Sequence, residues 1–116
     1  MFDFQKLTVY QKAKHFHVFC LGLIESKHFS RFTNYQLGRA SFSIVLNIAE
    51  GSGRFLKTDR RNSFVIARSS VFECVAALDV LEDQKLISVD EYQEAEKLAD
   101  ELSRLLFTPV QNLNSK

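Results

Sequence analysis

The stretch FVIARSSVFECVAALDVL, Phe64 to Leu81, decides how the rest of the chain is read. Its apolar residues Phe64, Ala67, Val71, Cys74, Leu78 and Leu81 recur at alternating intervals of three and four. That spacing follows one face of an α-helix, not the alternation by two of a strand. A seam of this kind packs against its neighbours at shallow angles, as helices do in antiparallel bundles.

The same spacing appears on both sides of this stretch. Downstream it runs through Tyr92, Ala95, Ala99, Leu102 and Leu106; upstream it runs through Leu37, Ala40, Ile44 and Ile48, and through Tyr10, Ala13, Phe16, Cys20 and Leu23. Start signals accompany each run. Thr8 with Gln11, Thr33 with Gln36 and Ser88 with Glu91 have the spacing of a capping box, in which each side chain satisfies a free backbone N–H of the other residue. Thr58 followed by Asp59 is a simpler cap. Helices are therefore predicted over about 9–28, 34–51, 59–86 and 89–107. Four glycines and one proline leave little punctuation for strands and turns. The connecting segments KHFSRF, GRFLKT and KLIS are short, which implies an all-α, up-down-up-down four-helix bundle forming one domain over residues 1–116. Pro109 is expected to end or kink the fourth helix, and the tail QNLNSK to fray.

Composition narrows the functional classes. Fifteen Lys and Arg face fourteen Asp and Glu, so the chain as a whole is no polyelectrolyte. Its halves differ: residues 1–68 carry 11 basic and 4 acidic side chains, and residues 69–116 carry 4 basic and 10 acidic ones. Cys20 and Cys74 lie inside apolar patterns and read as buried thiols of a reducing compartment, with a disulfide between them as the alternative. The opening MFDFQKLTVYQKAK lacks a signal peptide's apolar core, and no run approaches a membrane span; a cytoplasmic protein with no membrane partner is expected.

Apolar surface exceeds what one core face needs. Besides its first stripe, the second helix carries Phe42, Val45, Leu46 and Ala49, while Val18, Phe19 and Leu21 stand apart from the seam of the first. Large exposed apolar patches usually mark interfaces, so Phe42, Val45, Leu46 and Phe19 are candidates for self-association. A core wide enough to absorb them is the alternative. Within SIVLNIAEG, Ser43 to Gly51, small serines allow close approach, Asn47 is a polar specifier, Glu50 is placed to pair with Arg54, and Gly51 and Gly53 supply left-handed conformations that end the helix.

These residues carry a resemblance. QLGRASFSIVLNIAEGSGR followed by FVIARSSVFECVAAL resembles the bacterial four-helix bundle family first associated with intervening sequences in 23S ribosomal RNA genes. The matching positions are Gln36, Arg39, Ala40, Ser43, Ile44, Asn47, Ile48, Ala49, Glu50 and Gly51, then Ile66, Ala67, Arg68, Ser70 and Glu73, and LTVYQKA resembles the family's helix-one start. The chain departs from the family pattern at Gly38, Ser63 and Ser69. The resemblance implies a bundle assembling into a barrel-like homopentamer, in a family whose members mostly lack an assigned activity. It extends to the accessory variability determinant of diversity-generating retroelements, a strongly basic branch that binds nucleic acid and works with a reverse transcriptase.

Candidate sites follow from the predicted topology. The start of helix one, the end of helix two and the start of helix three share one end, which gathers Lys6, Lys12, Lys14, Arg54, Lys57, Arg60 and Arg61. Such a cluster, repeated in an oligomer, binds phosphates, and Phe55 among them is placed to stack on an unpaired base. A solvated surface is the simpler reading. The opposite end collects Glu82, Asp83, Asp90, Glu91 and Glu94. A two-metal carboxylate site needs Glu-x-x-His on two helices; Glu25 and His28 give the spacing once and no second copy exists. His15 and His17 diverge around the helix, and Gly51-Ser-Gly53 lacks the Lys-Ser/Thr of a phosphate loop. No metal, cofactor or catalysis is expected. The expected protein is an oligomeric adaptor for structured RNA or DNA, working beside a larger enzyme such as a reverse transcriptase; the alternative is a protein-binding scaffold without nucleic-acid activity.

Overall fold

A computed structural model describes residues 1–114, with side chains described for residues 1–109. A 3-10 turn over Asp3–Lys6 leads into α1 (Thr8–Ser26), α2 (Arg31–Gly53), α3 (Lys57–Asp83) and α4 (Val89–Asn114), with no strand among the described residues. Linkers too short to cross the molecule force each helix to run antiparallel to the one before. Each packs on its sequence neighbours, α4 closes on α1, and the diagonal pairs bring no Cα atoms within 8 Å of each other. The result is the expected four-helix bundle, 45 × 28 × 22 Å. Its length is close to the ~40 Å of a 27-residue helix such as α3 at 1.5 Å per residue.

The core is built from the four seams. Phe16 and Cys20 of α1, Leu37, Ile44 and Ile48 of α2, Val71, Cys74 and Leu78 of α3, and Leu102 and Leu106 of α4 are all almost fully enclosed. Burying a Leu or Ile side chain contributes about 1.5–3 kcal/mol, so these rows hold the bundle together. The Cys74 thiol is pushed well above its usual range by a hydrogen bond with Cys20 and by burial. Both cysteines remain free thiols. No α1 residue has its Cα within 8 Å of an α3 Cα, beyond the span a disulfide bridges.

The helix ends differ from expectation in instructive ways. Only the Ser88–Glu91 capping box forms as predicted: Ser88 N–H donates to Glu91 Oε1 at 2.8 Å and Glu91 N–H to Ser88 Oγ at 3.0 Å. The Ser88 N–H donor first, and then the Lys27 ammonium, hold the Glu91 carboxyl below its ordinary value against its partial burial. α2 starts earlier, capped by Ser30, whose Oγ accepts from Thr33 N–H. α1 and α3 begin after Leu7 and Leu56, which give no side-chain cap. Thr8 is already helical, and Gln11 donates instead to Gln5 O of the preceding turn at 2.6 Å.

Neither Gly51 nor Gly53 adopts a left-handed conformation; the expected termination is not their role. The left-handed residue is Lys85, at φ 61° after α3. There Lys85 N–H reaches Glu82 O and Leu86 N–H reaches Leu81 O, both at 2.9 Å, the paired bonds of a Schellman end. Pro109 does not stop α4, which continues to Asn114. A proline removes one donor, and here Leu102 and Leu106 fix the preceding turns in the core. Residues 115–116 of the tail expected to fray lie outside the described residues.

Candidate nucleic-acid interface

The antiparallel order brings the 3-10 turn, the C-terminus of α2, the N-terminus of α3 and the C-terminal part of α4 to one end. Residues from all four line a single open cleft of about 570 Å³: Phe2, Phe4 and Leu7, Ser52 and Gly53, Arg60 and Phe64, and Pro109. The N-terminal segment is held there by aromatic contact, with Phe4 edge-on to Tyr10 of α1 at 4.9 Å between ring centroids. Gly51 shapes the opposite wall. A Cβ on Gly51 would lie 2.9 Å from Phe64 Cε1 and 3.1 Å from Ser63 Cβ, so only glycine lets α3 approach this closely.

The seven predicted cations have different surroundings. Lys12 pairs with Glu101 of α4 at 3.0 Å, and Arg54 with Glu50 at 3.2 Å, the predicted pair four residues apart. Lys14 stands 5.1 Å over the Tyr10 ring. Arg61 Nη1 donates to Asn62 Oδ1 at 3.5 Å. Lys6 and Lys57 are exposed. Arg60 Nη2 donates to Arg54 O at 3.0 Å, while its enclosed Nε has no acceptor among the described residues. Phe55 is almost entirely exposed between Arg54 and Lys57. At the opposite end, Lys27 ties α1 to α4 by pairing with Glu91 at 3.0 Å.

The motif residues serve packing. Asn47 Nδ2 donates to Ser43 O at 2.9 Å and to Ser43 Oγ at 3.1 Å, while Ser70 Oγ of α3 donates to the same Ser43 Oγ at 3.1 Å. This small network pins the register of α2 on α3 and answers the requirement that half-buried polar groups be bonded. Arg39 joins the same two helices from outside, donating to Glu73 at 2.7 Å and to Gln36 at 3.2 Å. Arg68 Nε donates to Ser103 O of α4 at 3.3 Å, and its guanidinium lies 4.9 Å from the Phe72 ring centroid and 5.4 Å from that of Phe107.

Two lateral surfaces are apolar. Along α2, Phe32, Tyr35, Phe42 and Leu46 are exposed at intervals that continue the three-four rule through Arg39. On the α3–α4 side, Phe72 and Phe107 are half exposed around Arg68. Of the predicted interface residues, Phe42 and Leu46 therefore face outward. Phe19 packs partly against the core, and Val45 is buried within it because α2 turns that side inward, which corrects its assignment to an interface. The Phe42 ring stacks on His17 at 5.1 Å. With the Ser41 hydroxyl proton on Gly38 O, His17 Nδ1–H donates to Ser41 Oγ at 2.7 Å, and burial lowers the imidazole pKa.

Sequence reasoning did not find Phe2, Phe4, Ser52 or Pro109 as parts of a site. Of these, Ser52 drew attention only within a glycine pair that fails as a phosphate loop, and Pro109 as a helix breaker. Among the described residues no group of three or more His, Cys, Asp or Glu is gathered to hold a metal ion, and no helix is long and apolar enough to cross a membrane.

The family model for the 23S rRNA-intervening sequence protein matches residues 5–108. The chain belongs to that family. A crystal structure of a protein of unknown function from the S23 ribosomal protein family of Bacteroides thetaiotaomicron has the same fold, with a TM-score of 0.81 and 25% identity over 89% of this chain and 98% of that one. No curated protein matches. Within the 23S rRNA-intervening sequence protein family, the NIAEG glycine thus has a steric reason in this member, the contact of α2 with Phe64.

Proposed function

We propose that the protein is a non-catalytic, self-assembling adaptor that binds structured RNA or DNA through its basic end. The observation that carries the reading is the convergence there of Lys6, Arg54, Lys57, Arg60 and Arg61 beside an open cleft, with Phe55 projecting among them. Cations clustered on one surface bind phosphates and release counterions. The family description, which names an intervening sequence of 23S rRNA, agrees with a nucleic-acid context.

Self-association is supported by two unlike apolar surfaces, the Phe32–Leu46 stripe of α2 and the Phe72–Phe107 patch. A head-to-tail contact between unlike patches generates a closed ring when the rotation permits, which suits a barrel-like homopentamer. Five copies of one basic end multiply weak phosphate contacts by avidity. A larger enzyme, such as a reverse transcriptase, would share the bound strand. The exposed α2 stripe also favours a second reading, a scaffold that binds protein alone.

Fluorescence anisotropy with a hairpin RNA and a duplex DNA across a salt series tests the first reading. The expected log–log slope is about −0.9 for each duplex phosphate neutralised, and Lys57→Glu with Arg61→Glu should flatten it. No binding at low salt leaves only the scaffold. Light scattering that returns the monomer's 13.4 kDa at micromolar concentration would dismiss the assembly.

A further inference from the structure

We infer that the cleft at the basic end is a binding site for a purine base, guanine above adenine, carried by a free nucleotide or by an unpaired position in a strand. The strand-borne case rests on the nucleic-acid reading above; the free-nucleotide case does not.

The cleft leaves polar groups unsatisfied. Arg60 has five N–H donors, yet its one acceptor among the described residues is Arg54 O, and its enclosed Nε has none. The enclosed Nε is closed to a ligand in the open cleft, so the terminal N–H groups of the guanidinium are the donors left for an acceptor there. Asp3 lines the same cleft and forms no ion pair with Arg60. The two opposite charges therefore share one open space without neutralising each other.

That pairing selects the ligand. A simple anion is repelled by Asp3, a cation by Arg60, and a purely apolar molecule leaves both charges facing oil. The ligand must be neutral at this edge, with acceptors and donors side by side. Phe2, Phe4, Phe64 and Pro109 supply apolar faces, which favours a flat ring. The cleft volume, about 570 Å³, lies within the range of ligand sites and has room for a bicyclic ring.

Guanine meets these conditions. Its O6 and N7 accept from arginine in the commonest specific contact to a base, while its N1–H and N2–H₂ are donors for a carboxylate. Adenine sets an amino donor beside N7 where guanine has the O6 acceptor, and an acceptor at N1 where guanine has a donor, so it fits neither partner as well; a pyrimidine ring covers less of the aromatic wall. Gly51 contributes indirectly, because the Phe64 ring takes its place in the wall only where α2 lacks a Cβ. Arg54 directly follows the cleft residue Gly53 and Lys57 opens α3, so both lie close in the chain to the cleft, where an attached phosphate would need cations.

Two arms test the site on the full-length chain. Guanosine and uridine monophosphate are titrated with observation of backbone amides by NMR. Two hairpin RNAs differing in one loop base, G or U, are compared by anisotropy. Guanine is expected to bind about tenfold more tightly than uracil in at least one arm, in line with about 1–3 kcal/mol for a good bidentate base contact. Amide shifts should centre on Phe4, Ser52, Gly53 and Arg60. Asp3→Asn and Arg60→Gln should each bring the preference within about twofold; Asp3→Asn lies on the exposed N-terminal turn, so it reads the site even where Arg60→Gln unsettles the α2–α3 corner. A preference confined to the nucleotide assigns the free ligand, and one confined to the hairpin assigns the strand. Equal, salt-dependent binding of both hairpins without a nucleotide preference overturns the cleft inference and leaves the proposed function standing. Absence of all binding at low salt overturns both.

Discussion

Gly51→Ala tests the packing that shapes both the bundle and its cleft. The new methyl group would stand 2.9 Å from Phe64 Cε1, 3.1 Å from Ser63 Cβ and 3.2 Å from Phe64 Cδ1. None of these atoms is the tip of a flexible chain: Phe64 and Ser63 are buried, and the Cβ is fixed to the α3 backbone. Forcing a methyl group into such a contact costs typically about 1–3 kcal/mol. Alanine returns about 0.5–1 kcal/mol through reduced backbone entropy of the unfolded chain. The expected net loss is about 1 kcal/mol, within bounds of about 0–2.5 kcal/mol. Gly22 supplies the control, since it is exposed within α1 and nothing lies within 4 Å of where a Cβ would stand on it. Gly22→Ala should therefore gain about 0.5–1 kcal/mol. Urea denaturation followed by circular dichroism, at one fixed protein concentration so that self-association contributes equally, should move the two midpoints in opposite directions with unchanged slope. Gly51→Ala as stable as the parent would refute the steric account.

Other outcomes follow from the same geometry. Lys85→Gly should raise stability by about 1 kcal/mol, because a side chain at φ 61° is strained and glycine is not; an unchanged or lower urea midpoint would contradict this. Burial lowers the folded pKa of His17, so the unfolded chain binds the proton first. Stability should be complete above the unfolded value of 6.5 and fall as the pH drops below it, until the folded imidazole also protonates. His17→Gln should remove that part of the pH dependence, and an NMR titration midpoint at or above 6.5 would reverse the sign. Cys20 and Cys74 should remain reduced when the folded protein is treated with diamide, since their Cα atoms are too far apart. A disulfide found by mass spectrometry under those conditions would show that the core opens more than this packing permits.

The sequence by itself determined the helices and the core, because both are written in local spacing. The three-four seam through Phe64, Val71, Cys74 and Leu78 needs no partner to be recognised, and every one of those residues is buried. The Ser88–Glu91 box was equally readable, since donor and acceptor are three residues apart. The other helix starts were not, because several hydroxyls near each boundary compete to cap and the linkers decide among them: Ser30 precedes Thr33, and leucines precede Thr8 and Thr58. What Gly51 is for depended on which side chain stands across from it, and Phe64 is thirteen positions away. Outward and inward turns of α2 likewise left Phe42 free and buried Val45, a difference of helical phase that only the neighbouring helices settle. The cleft lies furthest beyond sequence reading. Asp3, Ser52, Arg60 and Pro109 come from four segments that share no motif, and antiparallel packing alone brings them to one end of the bundle.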